Sequence, residues 1–317
     1  GLVARAAEPT VVAFGSCHQQ GRDGAPWDPI IAAKPEVFVF LGDNIYGDTD
    51  DMGVLREKYG RLGAVAGFQC LRGACPVMAT WDDHDYGKND SGGEWPKKEE
   101  SRREFLTFWG EPAGSARWKR AGVYDARTFG VEGRRVQVVL LDTRYHRSPL
   151  KREGRDWVPD AEPGRTFLGE EQWAWLEGVL REPAEVRVIA SSIQVASEEH
   201  RFEKWANFPR ERERLLRLLA SASGRVVVVS GDRHFAEVSR VRAGSGDAGR
   251  WIYDVTSSAL NQRALTHAED NRHRVGGMVT EANFGVLTID WAAGGPKLTA
   301  EIRVGNGTAA SQAVLEP

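Results

Sequence analysis

Seven short runs of β-branched and other apolar residues constrain this chain more than any other feature. They are TVVAFG (10–15), VFVFLG (37–42), PVMATW (76–81), VQVVLLD (136–142), VRVIASS (186–192), RVVVVSG (225–231) and WIYDVTS (251–257). Strands that are apolar without alternation are buried on both faces and need helices as cover. Amphipathic stretches at 101–110, 169–180 and 208–221 supply that cover. The last places Leu215, Leu216, Leu218 and Leu219 on one side and its charges on a solvated side. The alternation predicts an α/β fold. FGVLTIDW (284–291) and KLTAEIRV (297–304) read as a closing hairpin around AAGG, and RAGSGDAGR (242–250) as a loop between strands. With no repeat and no linker, residues 11–317 are expected to form a single domain, and residues 1–10 a leader remnant or flexible N-terminus.

The 317 residues carry a formal net charge of −3, which gives no bulk electrostatic footprint for nucleic acid. No apolar run approaches the roughly 20 residues of a membrane span, and no protein partner is suggested. Ala4-Arg5-Ala6 fits the small-x-small pattern of a signal-peptidase site, although no charged and apolar leader precedes it. Of the three cysteines, Cys70 and Cys75 flank LRGA, where Gly73 permits a turn. In an oxidising compartment these two are expected to pair and leave Cys17 free. Two buried thiols are the alternative, because a continuous helix at this spacing forbids the bridge.

The polar residues fall in a telling place. The first strand runs out at Cys17, the second at Asp43, the third at Asp83 and His84, and the sixth at Asp232 and His234. In open α/β sheets, ligands bind beyond the carboxyl ends of the strands. Carboxylates brought together there repel one another unless cations compensate them. A dinuclear metal site, with a carboxylate shared between two ions, resolves the conflict and can serve phosphoryl chemistry. N-caps and solvated turns are the bland alternative. The chain lacks a G-x-S-x-G nucleophile elbow and a G-x-x-x-x-G-K-[ST] phosphate loop.

Taken in order, FGSC, FVFLGDNIYGD, ATWDDHDYGKND, LLDTR and SGDRHFAE resemble the blocks of the alkaline phosphatase D (PhoD-like) family of binuclear metallophosphoesterases, over roughly residues 11 to 262. The resemblance implies a four-layer sandwich of two mixed β-sheets flanked by α-helices, with metals at the strand C-termini. It also implies hydrolysis of phosphate monoesters or diesters, usually outside the cytoplasm, so export is expected. A phospholipase D-like or nuclease-type phosphodiesterase using the same centre is the alternative; a non-catalytic metal- or phosphate-binding module is another. The first strand begins by Val11, so the additional N-terminal β-sandwich of larger members is not expected here.

The resemblance implies roles as well. Asp43 matches the bridging carboxylate. Tyr46, by itself a packed aromatic, becomes a phenolate ligand of Fe3+, an ion acidic enough to ionise a phenol. Cys17 stands where other metallophosphoesterases supply an acid or a histidine. It is either a thiolate ligand or a buried structural thiol. His234 completes the iron sphere. Asp43, Asp83 and Asp232, all oxygen donors, favour Ca2+, or Mg2+ or Mn2+, at the second position. His84 is expected to face the substrate and protonate the leaving oxygen, with Asp82 and Asp85 orienting the ligands. Arg144 is a candidate phosphate fork or a structural ion pair, and Asn89 a candidate phosphate contact. Ser192 or Gln194 could fill a position where relatives place a further histidine. His200, Lys204 and Trp205 are candidates to line the substrate mouth, with core or rim packing the commoner outcome for Trp205; His18 is expected beside the ligands, and His146, His267 and His273 outside the chemistry.

Overall fold

The seven predicted strands sort into two six-stranded sheets in a computed structural model that describes residues 8–244, 249–263 and 269–317. In chain order the strands are β1 Thr10–Gly15, β2 Val37–Leu41, β3 Val77–Thr80, β4 Asp125–Phe129, β5 Val136–Leu140, β6 Lys151–Glu153, β7 Asp156–Val158, β8 Val186–Ala190, β9 Arg225–Ser230, β10 Ala236–Ala243, β11 Arg250–Ser257, β12 Asn283–Ala292, β13 Gly295–Val304 and β14 Ala309–Leu315. The helices are α1 Trp27–Ala32, α2 Met52–Gly63, α3 Ala66–Ala74, α4 Asp83–Tyr86, α5 Lys98–Trp109, α6 Gly169–Val179 and α7 Pro209–Ser221.

One sheet has the order β14-β13-β12-β1-β2-β3, the other β10-β11-β9-β8-β5-β4, and β6 and β7 form a separate hairpin. Both sheets are mixed. β1, β2 and β3 run parallel, as do β5, β8, β9 and β11, while β12, β13 and β14 close the first sheet antiparallel. The parallel strands of the two sheets bring the carboxyl ends of β1, β2, β3 and β9 to one place.

The inward faces meet in a core that includes Val12, Phe14, Val39 and Leu41 from one sheet and Val138, Leu140, Val188 and Val227 from the other. Outside the first sheet, Phe38 and Phe40 pack against Tyr59, Leu62, Phe68, Phe105 and Leu106 of the helices. Outside the second, Val139, Ile189 and Val228 pack against Trp173, Leu176, Leu215 and Leu219. Each fully buried Val or Leu here contributes ~1.5–3 kcal/mol. The result is the expected helix–sheet–sheet–helix stack.

The disulfide expectation is overturned. Gly73 lies inside α3, not in a turn, with Cys70 within the helix and Cys75 directly after it in extended backbone. All three cysteines are free, Cys70 exposed and Cys17 and Cys75 buried. The leader reading falls largely on residues 1–7, and His267 likewise lies outside the described residues.

Candidate metal centre

The Asp82–Asp85 segment is built by a one-turn helix. Directly after β3, the Asp82 backbone N–H donates to Asp85 Oδ1 at 2.6 Å, and Tyr86 N–H to Asp82 O at 3.0 Å. The Asp85 carboxylate also accepts from the backbone N–H groups of Asp43 and Asn44, both at 3.3 Å. It thereby ties the β2 end to the β3 end. Gly42 makes this approach possible: it has φ +102°, and a Cβ there would stand 2.5 Å from Asp82 Cβ.

Seven described non-glycine residues have left-handed φ, among them Cys17 (61°), Asp43 (50°), Asp48 (47°), Asp90 (61°), Asp232 (71°) and His234 (55°). The seventh, Lys34 (50°), is elsewhere. Each such residue costs about 1–2 kcal/mol, and their concentration around one site marks the site as functional.

These turns bring the strand ends together. Ligand atoms of Cys17, Asp43 and His234 lie within 4.8 Å of one another, as do those of Asp43, Asp82, Asp83 and Asp232. Asp43 belongs to both groups, the placement a shared carboxylate needs. Cys17 Sγ is 3.5 Å from Asp43 Oδ2 and 3.2 Å from Ser258 Oγ. The Tyr46 hydroxyl meets His234 Nε2 at 3.0 Å. All six residues singled out as ligands therefore converge on one place.

His84 stands beside them, its ring 4.4 Å from that of Tyr46 and its Nδ1 2.6 Å from Asp48 Oδ1. One of its nitrogens is within 4.8 Å of Asp43 and Asp83 carboxylate oxygens, so it borders the ligand cluster as well as the cavity. A third acidic group, Asp83, Asp90 and Glu203, adjoins it.

The electrostatics fit bound cations. Burial pushes the Asp43 carboxyl well above the usual carboxylate range, against the His84 charge, and drives the Cys17 thiol to about 11. Burial raises the Asp232 carboxyl to about 7 and depresses the His234 imidazole to about 4. Burial also opposes ionisation of Asp83, yet the charges of His84 and Arg144 and the Asp90 N–H hold it down at about 2. Asp43 Oδ1 is buried without a hydrogen-bond partner among the described residues. A buried, orphaned carboxylate oxygen beside a thiol, a phenol and an imidazole is accounted for by a metal ion. The residues present fit a dinuclear centre.

The structure corrects the peripheral assignments. Arg144 forms no phosphate fork. It is fully buried, its Nε donating to Asp82 Oδ1 at 2.6 Å and its Nη2 bonding Glu203. It is the counter-cation beneath the acids. His200 and Lys204 are buried instead of lining the mouth, and Trp205 packs in the core, the commoner of its two expected outcomes. His200 Nε2 lies 3.1 Å from Gln194 Oε1, and Trp205 Nε1 donates to Ser191 Oγ at 2.9 Å. The intervening Arg201, Phe202 and Glu203 line the cavity in their place, along with Asn89. Ser192 donates to Asp82 Oδ1 at 2.5 Å and Gln194 turns away to Glu237 at 2.9 Å, so neither fills the vacant histidine position. His18 is buried, with Nδ1 3.3 Å from Asn44 O.

Sequence reasoning missed Asp48, Asp90, Glu203 and Arg233. Of these, Asp48, in IYGD, Asp90, in GKND, and Arg233, in SGDRHFAE, lay inside the quoted motifs; Glu203 carried no local signal.

A four-layer α/β/β/α sandwich with acids, thiol and imidazoles gathered at the strand ends is the arrangement of the metallophosphoesterases. The chain belongs within that class to the PhoD-like phosphatase family, whose model matches residues 51–291. It is similar to alkaline phosphatase D of Bacillus subtilis (strain 168), 26% identical over 220 residues, covering 59% of this chain and 36% of that protein. The chain thus spans about a third of the length of this curated relative. Among solved structures, a PhoD structure superposes with a TM-score of 0.75 at 18% identity, covering 98% of this chain and 69% of that one. A purple acid phosphatase from yellow lupin seeds gives 0.65 at 14% identity, over 97% of this chain and 54% of that one. A dimetal phosphatase from Danio rerio gives 0.55 at 14%, over 97% and 99%. No described helix is long and apolar enough to cross a membrane.

Proposed function

We propose that this chain is a metal-dependent phosphoric ester hydrolase of the alkaline phosphatase/phosphodiesterase type, with residues 11–317 as one catalytic domain. The observation that carries the reading is the double membership of Asp43 in the Cys17–His234 and the Asp82–Asp83–Asp232 groups, each within 4.8 Å. Cys17, Asp43, Tyr46 and His234 would hold Fe3+, and Asp43, Asp83 and Asp232 would hold Ca2+, or Mg2+ or Mn2+. When bound, such a pair supplies Lewis acidity toward phosphoryl oxygens and an acidified water.

The chain's own residues do the rest. Asp48 fixes the His84 ring through Nδ1 at 2.6 Å, leaving the other nitrogen to give a proton to the departing ester oxygen. The Asp82–Arg144–Glu203 ion pairs keep the floor of the site in one arrangement. Asn89, exposed on the cavity wall, is a candidate phosphate contact. The cavity, about 430 Å3, extends beyond the acids to Trp157 and Phe202. That room favours diesters as well as monoesters.

Paired assays on p-nitrophenyl phosphate and bis-p-nitrophenyl phosphate, before and after metal removal, test the activity. Hydrolysis of both that is lost with the metals supports it; turnover unaffected by their removal contradicts it. A tyrosinate–Fe3+ bond gives visible charge-transfer absorption, which Tyr46→Phe should bleach. Export, suggested by Ala4-Arg5-Ala6 and by the family resemblance, is tested by cell fractionation of the full-length protein.

A further inference from the structure

The cavity is lined by arginines as well as by acids. Arg152, Arg155, Arg201 and Arg233 line it together with Asp83, Asp90, Glu203 and Asp232. Two of these arginines are already paired: Arg201 with Asp156 at 3.4 Å, and Arg233 with Glu269 and, at 3.5 Å, with Asp232. Arg152 and Arg155, on the β6–β7 hairpin, have no ion pair among the described residues. Their guanidinium groups are free to receive an anion.

The hairpin is anchored. Trp157 donates its indole N–H to Asp90 Oδ2 at 3.0 Å, and its backbone N–H to Arg201 O at 2.9 Å. The Arg152 guanidinium lies over the Trp157 ring at 5.2 Å. Arg201 Nη2 also reaches Arg155 O at 3.4 Å. Through Trp157 the hairpin backbone that carries the unpaired arginines is pinned to Asp90, beside the candidate metal centre. Preorganisation of this kind turns surface charge into selectivity.

Resting on the hydrolase reading above, we propose that Arg152 and Arg155 form a second anion subsite, and that the preferred substrates carry a second phosphoryl group besides the ester that is cleaved. A planar guanidinium matches two oxygens of a terminal phosphate. Arg152 and Arg155 bind and position; they take no part in bond breaking.

Thymidine 5′-(p-nitrophenyl phosphate) and its 3′-phosphorylated analogue differ only by the second phosphate. The 3′-phosphorylated ester should show a KM lower by roughly 10- to 100-fold with similar kcat. The exposed double variant Arg152→Gln/Arg155→Gln should erase that difference while leaving kcat on the simpler ester unchanged. Isothermal titration of thymidine 3′,5′-bisphosphate against thymidine 5′-phosphate should show the same preference, lost in the variant. Equal KM values in the native enzyme would overturn the subsite and leave hydrolysis intact. No turnover of either ester would overturn the hydrolase reading, and the titration would then still decide the subsite.

Discussion

The Cys17 thiol and the Asp43 carboxylate meet at 3.5 Å, although they end different strands, and both residues hold left-handed backbone to do so. Burial disfavours the ionised form of each. Among the described residues only a long thiol–carboxylate hydrogen bond rewards bringing two such groups together. A bound cation rewards it further, and the first prediction follows from that opposition. In metal-free protein, the raised Asp43 carboxyl keeps its proton after an unfolded chain would have released it. Stability therefore falls as pH rises from the ordinary carboxylate range toward the raised value. Asp43→Asn removes the titrating group, so without metals the variant should melt at or above the native Tm at neutral pH. With metals present, the native protein alone should gain Tm.

Arg144 neutralises Asp82 and Glu203 in a fully buried setting. Removing one partner of a buried ion pair leaves charge uncompensated and costs ~3–5 kcal/mol. Arg144→Met should lower the urea midpoint by a corresponding amount. Arg144→Lys should recover only part of it, because an ammonium cannot span both carboxylates as the fork does. A variant of native stability would show that Arg144 is not the counter-cation of this floor.

His84 is held by Asp48 at 2.6 Å. If it protonates the leaving oxygen, His84→Gln should lose ~10²–10⁴ in kcat on an alkyl phosphate. The loss on p-nitrophenyl phosphate should be far smaller, since that leaving group departs without a proton. Asp48→Asn should reduce alkyl phosphate turnover by roughly 10–100-fold. Equal losses on both substrates would assign His84 to substrate or metal binding instead.

Gly42 has φ +102°, and a Cβ there would come within 2.7 Å of the Asp82 backbone nitrogen. Gly42→Ala should therefore displace the Asp82–Asp85 turn from the Asp43 loop. The expected outcome is weakened metal retention by equilibrium dialysis, with the far-UV spectrum unchanged.

With all three cysteines free, thiol titration of denatured, metal-free protein should find three reactive groups without reductant. In native protein, exposed Cys70 should react first.

The strands were legible because Val37–Leu41, Val136–Leu140 and Val186–Ala190 are buried at every position, and continuous apolar runs admit few alternatives. β4 and β14 were not, because at the sheet edges they consist mostly of exposed and half-buried residues. Cys17, Asp43, Asp83, Asp232 and His234 could be found because position at a strand end is a sequence property. The role of Arg144 could not: Glu203, its partner, lies 59 positions away. Gly73 misled because glycine permits a turn without requiring one, and here α3 runs through it. His200, Lys204 and Trp205 surround the residues that matter, Arg201, Phe202 and Glu203. Only the course of the backbone tells which of them face the cavity.

The most direct test of the central claim is the metal content of the purified protein, native and Asp43→Asn, by elemental analysis. Two ions per native chain, one of them iron, and loss of both in the variant are the predicted result. A native chain that binds no metal and keeps its Tm under chelation, or a variant that loses one ion and retains the other, would contradict it.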